Sequence, residues 1–437
     1  MKYYSINRKA PATDFKTATI KGQAPDKGLY FPLHLPVLPR DFFENISALS
    51  REEIAFKVIQ PYVKDCIPDD ILETIVSETI NFDIPLKKVH DDIFSLELFH
   101  GPTLAFKDVG ARFMSRCLSY FVQEEQKRVT VLVATSGDTG GAVANGFYEV
   151  ENVDVVILYP SKKVSSIQEL QLTSLGKNIH ALEVNGTFDD CQRMVKQAFA
   201  DKELNKELFL TSANSINVAR WLPQQFYYYF AWQQWPYKDQ PMTISVPSGN
   251  FGNICAGLLA QHSGLPVQQF IAACNANDAV TDYLKTGIYK DKPAVATISN
   301  AMDVGHPSNF VRILELFDQQ YNQVKNNLSS YSVTDADTKN IIREVYEKEG
   351  YLLDPHGAVG YLALKRYLQE HGKDKGIFLE TAHPIKFYDV VEPVLNEEVK
   401  MPEQIKELLH QQKKSVIIPS EYDALKNFLY SKQLLKV

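Results

Sequence analysis

Lys107 is the residue whose surroundings in the sequence most strongly suggest chemistry. It stands in the run HGPTLAFKD (residues 100–108), between small and aromatic residues and just ahead of a predicted helix. A lysine packed in such a place is partly dehydrated, and dehydration lowers the pKa of its amine. Because a neutral amine can attack an aldehyde, Lys107 is a candidate for covalent attachment of a carbonyl compound.

A turn of small and hydroxyl residues follows the predicted buried strand 129–135 and precedes a helix predicted to start near Ala142. Backbone N–H groups at such a strand-to-helix turn can bind a carboxylate. We therefore predict a carboxylate site formed by Ser136, Gly137, Asp138, Thr139 and Gly140.

A second glycine-containing loop, VPSGNFGN, lies between the predicted strand 242–246 and the apolar helix 254–261. Two glycines around an aromatic residue let the backbone fold tightly, and the following helix adds positive potential from its dipole. No Lys-Ser/Thr follows the glycines, so this is not a Walker loop, and the dinucleotide-binding spacing is also missing. The loop predicts a phosphate site formed by Gly249, Asn250, Phe251, Gly252 and Asn253.

Thr381 ends the late predicted strand 377–381 and offers a hydroxyl to a ring nitrogen. With this segment in place, the sequence resembles the threonine synthases, pyridoxal-phosphate (PLP) enzymes of the tryptophan-synthase-β fold type. The resemblance is carried by HGPTLAFKD, ATSGDTG, SANSIN, VPSGNFGN and TAHP-x-KF in this order, together with KGLYFP near the N-terminus. It extends over nearly the whole chain.

The resemblance implies conversion of O-phospho-L-homoserine and water into L-threonine and phosphate, the last step of threonine biosynthesis. PLP makes this possible by storing carbanion charge at successive carbons of the substrate. By the same resemblance, Lys107 forms the Schiff base with PLP and moves protons. The loop 249–253 holds the cofactor phosphate, Thr381 faces the pyridine nitrogen, and the turn 136–140 binds the substrate carboxylate.

A second phosphate, that of the substrate, must also be bound. The segment 214–220 has the family pattern Asn-Ser-x-Asn-x-x-Arg, which assigns this role to Ser215, Asn217 and Arg220. Asn217 and Arg220 are three residues apart, so one helical face would present both. The planar donor fork of an arginine matches the geometry of a phosphate.

Strand-like runs alternate with helical patterns from about residue 129 onward, which indicates parallel sheets covered by helices. The expected fold is α/β: a two-lobed, parallel-sheet PLP enzyme of fold type II with a small, mainly helical N-terminal domain. Residues 1–80 are predicted to form that domain, with helices at 51–63 and 69–79. Residues 81–437 would form the catalytic domain, with the smaller lobe at roughly 105–205.

Composition is that of an ordinary globular protein of 437 residues, with 45% hydrophobic and 23% charged residues. The net charge of −7 gives no reason to expect nucleic acid, and no apolar run approaches the ~20 residues of a membrane helix. Five scattered cysteines and the lack of an apolar leader favour a cytoplasmic location. The ten histidines are dispersed, so we expect no metal, and we expect a monomer or homodimer.

Two residues depart from the family pattern: Glu380 stands where a small residue is frequent, and Ile385 where alanine is common. The alternatives within the fold are a phosphohomoserine lyase, a threonine dehydratase or a cysteine synthase. The alternative from another class is a non-catalytic relative that binds PLP or an amino-acid phosphate.

Overall fold

The computed structural model describes residues 1–125, 128–373 and 375–431. Its strands, in chain order, are β1 (Tyr3–Ser5), β2 (Tyr30–Pro32), β3 (Leu86–His90), β4 (Asp92–Glu97), β5 (Val129–Ala134), β6 (Val153–Pro160), β7 (Ile179–Asn185), β8 (Leu210–Ser212), β9 (Met242–Pro247), β10 (Val267–Cys274), β11 (Leu328–Ser332), β12 (Lys375–Glu380) and β13 (Ser415–Pro419).

The helices lie between and around these strands. In chain order they are α1 (Phe15–Lys21), α2 (Arg40–Asn45), α3 (Arg51–Val63), α4 (Asp69–Thr79), α5 (Lys107–Glu125), α6 (Asp138–Gly146), α7 (Ser166–Thr173), α8 (Phe188–Ala200), α9 (Leu204–Glu207), α10 (Val218–Trp221), α11 (Phe226–Gln234), α12 (Gly252–His262), α13 (Ala279–Thr286), α14 (Phe310–Leu316), α15 (Tyr321–Asn327), α16 (Asp335–Glu349), α17 (Pro355–Glu370), α18 (Tyr388–Leu395), α19 (Glu403–Leu409) and α20 (Tyr422–Leu429). Short 3₁₀ helices occur at Ile46–Ala48, Leu222–Gln225, Asn300–Met302 and Pro384–Phe387.

The N-terminal region is mainly helical, as predicted, and α3 and α4 have the predicted bounds. Ser50 begins α3 with a capping box, in which its hydroxyl accepts from the Glu53 N–H and the Glu53 side chain accepts from the Ser50 N–H. This reciprocal pair satisfies two amides that the first turn of a helix leaves free. The small antiparallel pair of β1 and β2 was not predicted.

The larger sheet has six strands in the order β11-β10-β9-β12-β4-β3. All neighbouring pairs are parallel except β3 with β4. Helix α17 packs against β9, β10 and β12. Because β4, β12 and β9 are adjacent and parallel, the loops after them emerge at one edge of the sheet.

The smaller sheet has five parallel strands in the order β13-β7-β6-β5-β8. Every residue of β5 and β6 is buried, as expected for strands covered on both faces. Strands β8 and β13 lie outside residues 105–205, so the sheet of the smaller lobe draws on more of the chain than predicted. The fold class is as expected: two parallel-sheet lobes with a helical N-terminal region.

Candidate active site

The loop that carries Lys107 is joined by backbone hydrogen bonds to the loop after β12. The Phe106 N–H donates to the Thr381 carbonyl over 2.9 Å, and the His383 N–H donates to the Leu104 carbonyl over 3.1 Å. The sheet places these loops together because β4 and β12 are neighbours. Two motifs that are far apart in sequence, HGPTLAFKD and TAHP-x-KF, therefore form one wall of a site.

Local contacts fix the start of α5, where Lys107 is the first helical residue. The carboxylate of buried Asp108 accepts from the Thr103 N–H over 2.9 Å and from the Thr103 hydroxyl over 2.5 Å. The Tyr227 hydroxyl donates to the Phe106 carbonyl. These contacts leave the backbone of Lys107 little freedom to move.

The amine of Lys107 faces the buried carboxylate of Asp138, with 3.9 Å between Nζ and Oδ2, and its side chain is 16% exposed. Burial lowers the pKa of Lys107, Asp138 raises it, and the positive charges of Lys386 and Arg220 lower it again. The net direction is downward, toward the neutral amine that the sequence predicted. Ionisable groups whose pKa is shifted by burial and by neighbouring charges cluster at functional sites.

Lys386 is a site residue that sequence reasoning missed. Its side chain is fully buried, and its amine lies 2.7 Å from Asp138 Oδ1 and 2.8 Å from the Thr103 carbonyl. Burial alone would raise the pKa of Asp138, but Lys386 and Lys107 together hold it below its ordinary value. The available signal was a lysine inside an otherwise apolar run, within the motif TAHP-x-KF.

The turn 136–140 is built differently from the prediction. The N–H groups of Gly137 and Gly140 donate to the Thr135 hydroxyl over 3.0 and 2.9 Å, so they are committed to the turn. The Asp138 carboxylate accepts from Gln168 over 2.9 Å in addition to its contact with Lys386. The turn therefore offers fewer free N–H groups than expected, and its role as a carboxylate site stays a prediction. Helix α6 also starts at Asp138, earlier than expected, because Gly137 adopts a φ of 142° at its N-cap.

The glycine loop after β9 forms a tight concave backbone. A Cβ on Gly249 would lie 2.6 Å from Met302 Cα, so only glycine fits there. The left-handed residue is Phe251, with a φ of 60°, whereas Gly252 begins α12 with an ordinary φ. The buried side-chain nitrogen of Asn253 has no hydrogen-bond partner among the described residues. The loop thus combines a helix N-terminus with a free buried donor.

Ser215 lies beside this glycine loop. Its hydroxyl oxygen accepts from the side-chain amides of Asn250 over 2.6 Å and Asn309 over 3.2 Å. The Asn250 carboxamide oxygen accepts from the Ser308 N–H over 2.6 Å. Asn309 was not a predicted site residue. These contacts fix the Ser215 oxygen and leave its O–H available to a ligand.

Arg220 and Asn217 have different surroundings in the structure, and their joint role at the substrate phosphate stays a prediction. The Asn217 amide donates to the Thr19 carbonyl over 2.8 Å and to the Ser212 carbonyl over 3.1 Å, and its oxygen caps α10 at the Ala219 N–H. Its hydrogen-bonding groups are therefore occupied by the fold. The short α10 begins at Asn217 because an N-cap asparagine satisfies an otherwise free amide.

Arg220 is 3% exposed, and among the described residues no carboxylate forms a salt bridge with its guanidinium. One nitrogen donates to the Ala213 carbonyl, and Nε has no hydrogen-bond partner in the same part of the chain. Burial lowers the pKa of Arg220 to about 10. Gly110 on α5 allows the close approach, because a Cβ there would lie 2.6 Å from the Arg220 carbonyl oxygen.

Arg312 is a second buried arginine that the sequence patterns did not predict as part of the site. It donates to the Ser215 carbonyl over 3.2 Å, the Ile216 carbonyl over 2.6 Å and the Tyr30 carbonyl over 3.1 Å. Its guanidinium also lies 4.4 Å from the centre of the Trp221 ring. Arg312 therefore ties the Ser215 segment to the N-terminal region through the main chain. Nothing in the local sequence RILEL distinguishes it.

Glu380 is fully buried directly before Thr381, among other acidic groups. Its Oε1 accepts from the Asp354 N–H over 2.6 Å, whereas Oε2 has no partner in the described chain. A Cβ on Gly357 would lie within 2.8 Å of three atoms of the Glu380 carboxyl group. Burial raises the pKa of Glu380, and the negative charges of Asp354 and Glu97 raise it further.

The Glu380 cluster reaches the glycine loop through His356. Ala301 N–H donates to His356 Nε2 over 3.2 Å, so the ring proton is on Nδ1, which donates to Asp354 over 2.5 Å. Ala301 in turn packs against Gly249. The end of β12 and the glycine loop are therefore connected through buried polar contacts.

The residues present suit PLP. An aldehyde needs a neutral lysine, a phosphate needs N–H donors and a helix N-terminus, and a pyridine nitrogen needs a polar partner. Lys107, the loop 249–253 and the loop after β12 supply these groups, and Asn253 contributes an unpartnered buried donor.

The comparisons agree with this arrangement. Family models match for a pyridoxal-phosphate dependent enzyme at residues 83–379, for the threonine synthase N terminus at 2–80 and for the threonine synthase C-terminal region at 357–429. Threonine synthase of Serratia marcescens is 43% identical over 98% of this chain and 99% of that protein.

Two solved structures are also similar over almost the full length. Threonine synthase from Escherichia coli has a TM-score of 0.92 and 43% identity, covering 98% of this chain and 99% of that one. PLP-bound threonine synthase from Brucella melitensis has a TM-score of 0.91 and 35% identity, covering 98% of each. The chain therefore belongs to the threonine synthase family of pyridoxal-phosphate dependent enzymes.

Proposed function

We propose that this protein converts O-phospho-L-homoserine and water into L-threonine and phosphate. The observation that carries the proposal is the placement of the Lys107 amine near Arg220, a buried cation that forms no salt bridge within the described residues. A substrate that is both an amino acid and a phosphate ester needs a reactive site for its amino-acid part and a cation for its phosphate. Both are needed in addition to the loop that binds the phosphate of the cofactor.

Lys107 would hold PLP covalently, with the loop 249–253 around its phosphate and Thr381 toward its ring nitrogen. When bound, PLP supplies an electron sink for negative charge at the substrate carbons. Once released, the Lys107 amine would carry protons at Cα, Cβ and Cγ. The downward direction of its pKa suits this work, because proton transfer is most efficient when the pKa of the transferring group approaches the working pH.

Arg220 and Ser215 would bind the substrate phosphate. Each charge-assisted hydrogen bond is worth about 1.5–3 kcal/mol, and the arginine fork can make two of them. The same contacts would stabilise the charge that develops on the departing phosphate. Asn217 would support this site only indirectly, as the N-cap that orients α10.

The substrate carboxylate would lie at the turn 136–140. Because Gly137 and Gly140 are committed to Thr135, the groups assigned to the ligand are Ser136, Thr139 and the amide of Asp138. The Asp138 side chain, paired with Lys386, would not repel the ligand as an isolated carboxylate would.

The wider assignments follow the same proposal. Residues 1–80 would form an N-terminal domain and 81–437 the catalytic domain, with β13 added to the smaller lobe. We propose a cytoplasmic monomer or homodimer. Within the part of the chain that the structure describes, no helix combines the length and apolar character needed to span a bilayer.

The test is an assay of the purified protein. Bound PLP should give visible absorbance, and phosphohomoserine should yield phosphate and threonine in equal amounts. Phosphate release with a 2-oxo acid instead of threonine would indicate a lyase. No phosphate release from a PLP-loaded protein would indicate a non-catalytic relative.

A further inference from the structure

Two lysines share one buried carboxylate at the centre of the site. Lys386 lies 2.7 Å from Asp138 Oδ1, within hydrogen-bond distance, whereas Lys107 lies 3.9 Å from Oδ2, beyond it. Lys386 is fully buried and also reaches the Thr103 carbonyl over 2.8 Å. Both of its partners are acceptors, which an ammonium group satisfies best.

The buried charges around Lys107 balance best when its own amine is neutral. A buried ion pair is tolerated when its charges balance, and Lys386 with Asp138 already balances. A proton on Lys107 would add an uncompensated buried charge, close to the positive Arg220. If Lys386 were absent, Asp138 would instead pair with Lys107 and hold it in the charged form.

We propose that Lys386 is a positioning residue that neutralises Asp138 and thereby keeps the Lys107 amine uncharged and ready to react. The inference deepens the proposed function, because it takes Lys107 as the residue that reacts with the cofactor aldehyde. The charged groups facing Lys107 are Asp138 from α6, Lys386 from the 3₁₀ helix after β12 and Arg220 from α10. Of these, Lys386 alone contacts the carboxylate directly.

The supporting contacts fix the pair in place. Gln168 on α7 donates to the same Asp138 oxygen over 2.9 Å, and Gln171 donates to the Thr103 carbonyl over 3.0 Å. Lys386 thus joins the HGPTLAFKD loop to the start of α6. Gln168 and Gln171 cannot replace its charge, which makes the charge of Lys386 the property to test.

The experiment measures the pH dependence of Lys107 acylation in the full-length chain after removal of PLP. The probe is acetic anhydride at low concentration, and the Lys107 peptide is quantified by mass spectrometry. The variants are Lys386→Met, Lys386→Arg, Asp138→Asn and the double variant, with circular dichroism used to confirm folding.

Lys386→Met should move the apparent pKa of Lys107 upward by about 1 unit or more, so that the pH of half-maximal labelling rises by the same amount. Lys386→Arg keeps the charge and should label like the parent. Asp138→Asn should move the apparent pKa downward, and the double variant should return it toward the parent value.

If Lys386→Met does not fold, Lys386→Gln carries the test, because it keeps a hydrogen-bond donor for Asp138 and Thr103 without the positive charge. An unchanged Lys107 profile in the folded Lys386→Met or Lys386→Gln protein would overturn the proposal. Failure of the proposed function would show separately, since borohydride reduction of the parent holoenzyme would then mark a lysine other than Lys107.

Discussion

Gly357 and Glu380 form a pair whose coupling can be measured. A methyl group on Gly357 would overlap the Glu380 carboxyl, because three atoms of that group lie within 2.8 Å of the Cβ position. In Gly357→Ala the carboxyl must therefore move and lose its 2.6 Å bond from the Asp354 N–H. Overpacking costs about 1–3 kcal/mol and an unsatisfied buried amide about 1–3 kcal/mol, so we expect a loss of about 2–6 kcal/mol.

The same substitution should behave differently when Glu380 is absent. Gly357 lies in the first turn of α17, where alanine is a better helix former than glycine by up to about 1 kcal/mol. In a Glu380→Ala background the clash is removed, so Gly357→Ala should be neutral or stabilising. The effect of this methyl group on the free energy of unfolding thus changes sign when Glu380 is removed. The coupling energy between the two positions should therefore exceed the error of the unfolding measurements.

The assay is urea unfolding of the four proteins, followed by circular dichroism. Gly360→Ala is the matched control on the same helix, because its Cβ would meet Pro247 at 3.3 Å and does not approach Glu380. Its effect should be the same in both backgrounds. Additive effects of Gly357→Ala and Glu380→Ala would refute the idea that Gly357 exists to admit the carboxyl group.

Substitutions at five residues have further expected outcomes. Lys107→Ala should hold no PLP covalently and lose essentially all turnover; a borohydride-stable PLP adduct in that variant would contradict the assignment. Gly252→Val places bulk 3.2 Å from Asn309 and should weaken PLP binding about 10- to 100-fold by disturbing one or more phosphate contacts, measured by equilibrium titration. Arg220→Ala should lower kcat/KM for phosphohomoserine at least about a hundredfold, and Arg220→Lys should also lower it markedly, with PLP binding intact in both variants. Asn217→Ala should chiefly lower the free energy of unfolding, by about 1 kcal/mol or more. Because the pKa of Glu380 is raised on folding, its contribution to stability should be lost as the pH rises above the ordinary value of about 4.3, and Glu380→Gln should lack this component in pH-dependent unfolding.

Sequence patterns predicted the positions of the backbone loops around the site better than the positions of its buried charged side chains. Strands followed by turns of Gly, Ser and Asn located the loops at 136–140 and 249–253, because backbone geometry depends on local residue types. Lys386 and Arg312 were missed because their partners are Asp138, Thr103 and main-chain carbonyls distant in sequence, which local patterns do not report.

Other residues have long-range contacts that local patterns do not report either. Asn217 fits both a phosphate site and an N-cap by sequence, and only the structure shows that its amide donates to the Thr19 carbonyl. Glu380, which departs from the family pattern, fits into the fold because Gly357, more than twenty residues earlier, has no side chain where the carboxyl group lies. The unpredicted β13 is a short run whose pairing with β7 depends on contacts across most of the catalytic region.

The pairing of β13 with β7 has a consequence for the order in which the protein forms. Strand β7 spans residues 179–185, but its outer partner is made only when the ribosome reaches residues 415–419. During translation β7 remains an open edge, and exposed edges invite pairing with other chains. The edge of β7 therefore stays unpaired until residues 415–419 have been made, and a nonsense mutation shortly before residue 415 would release a protein with that edge permanently unpaired.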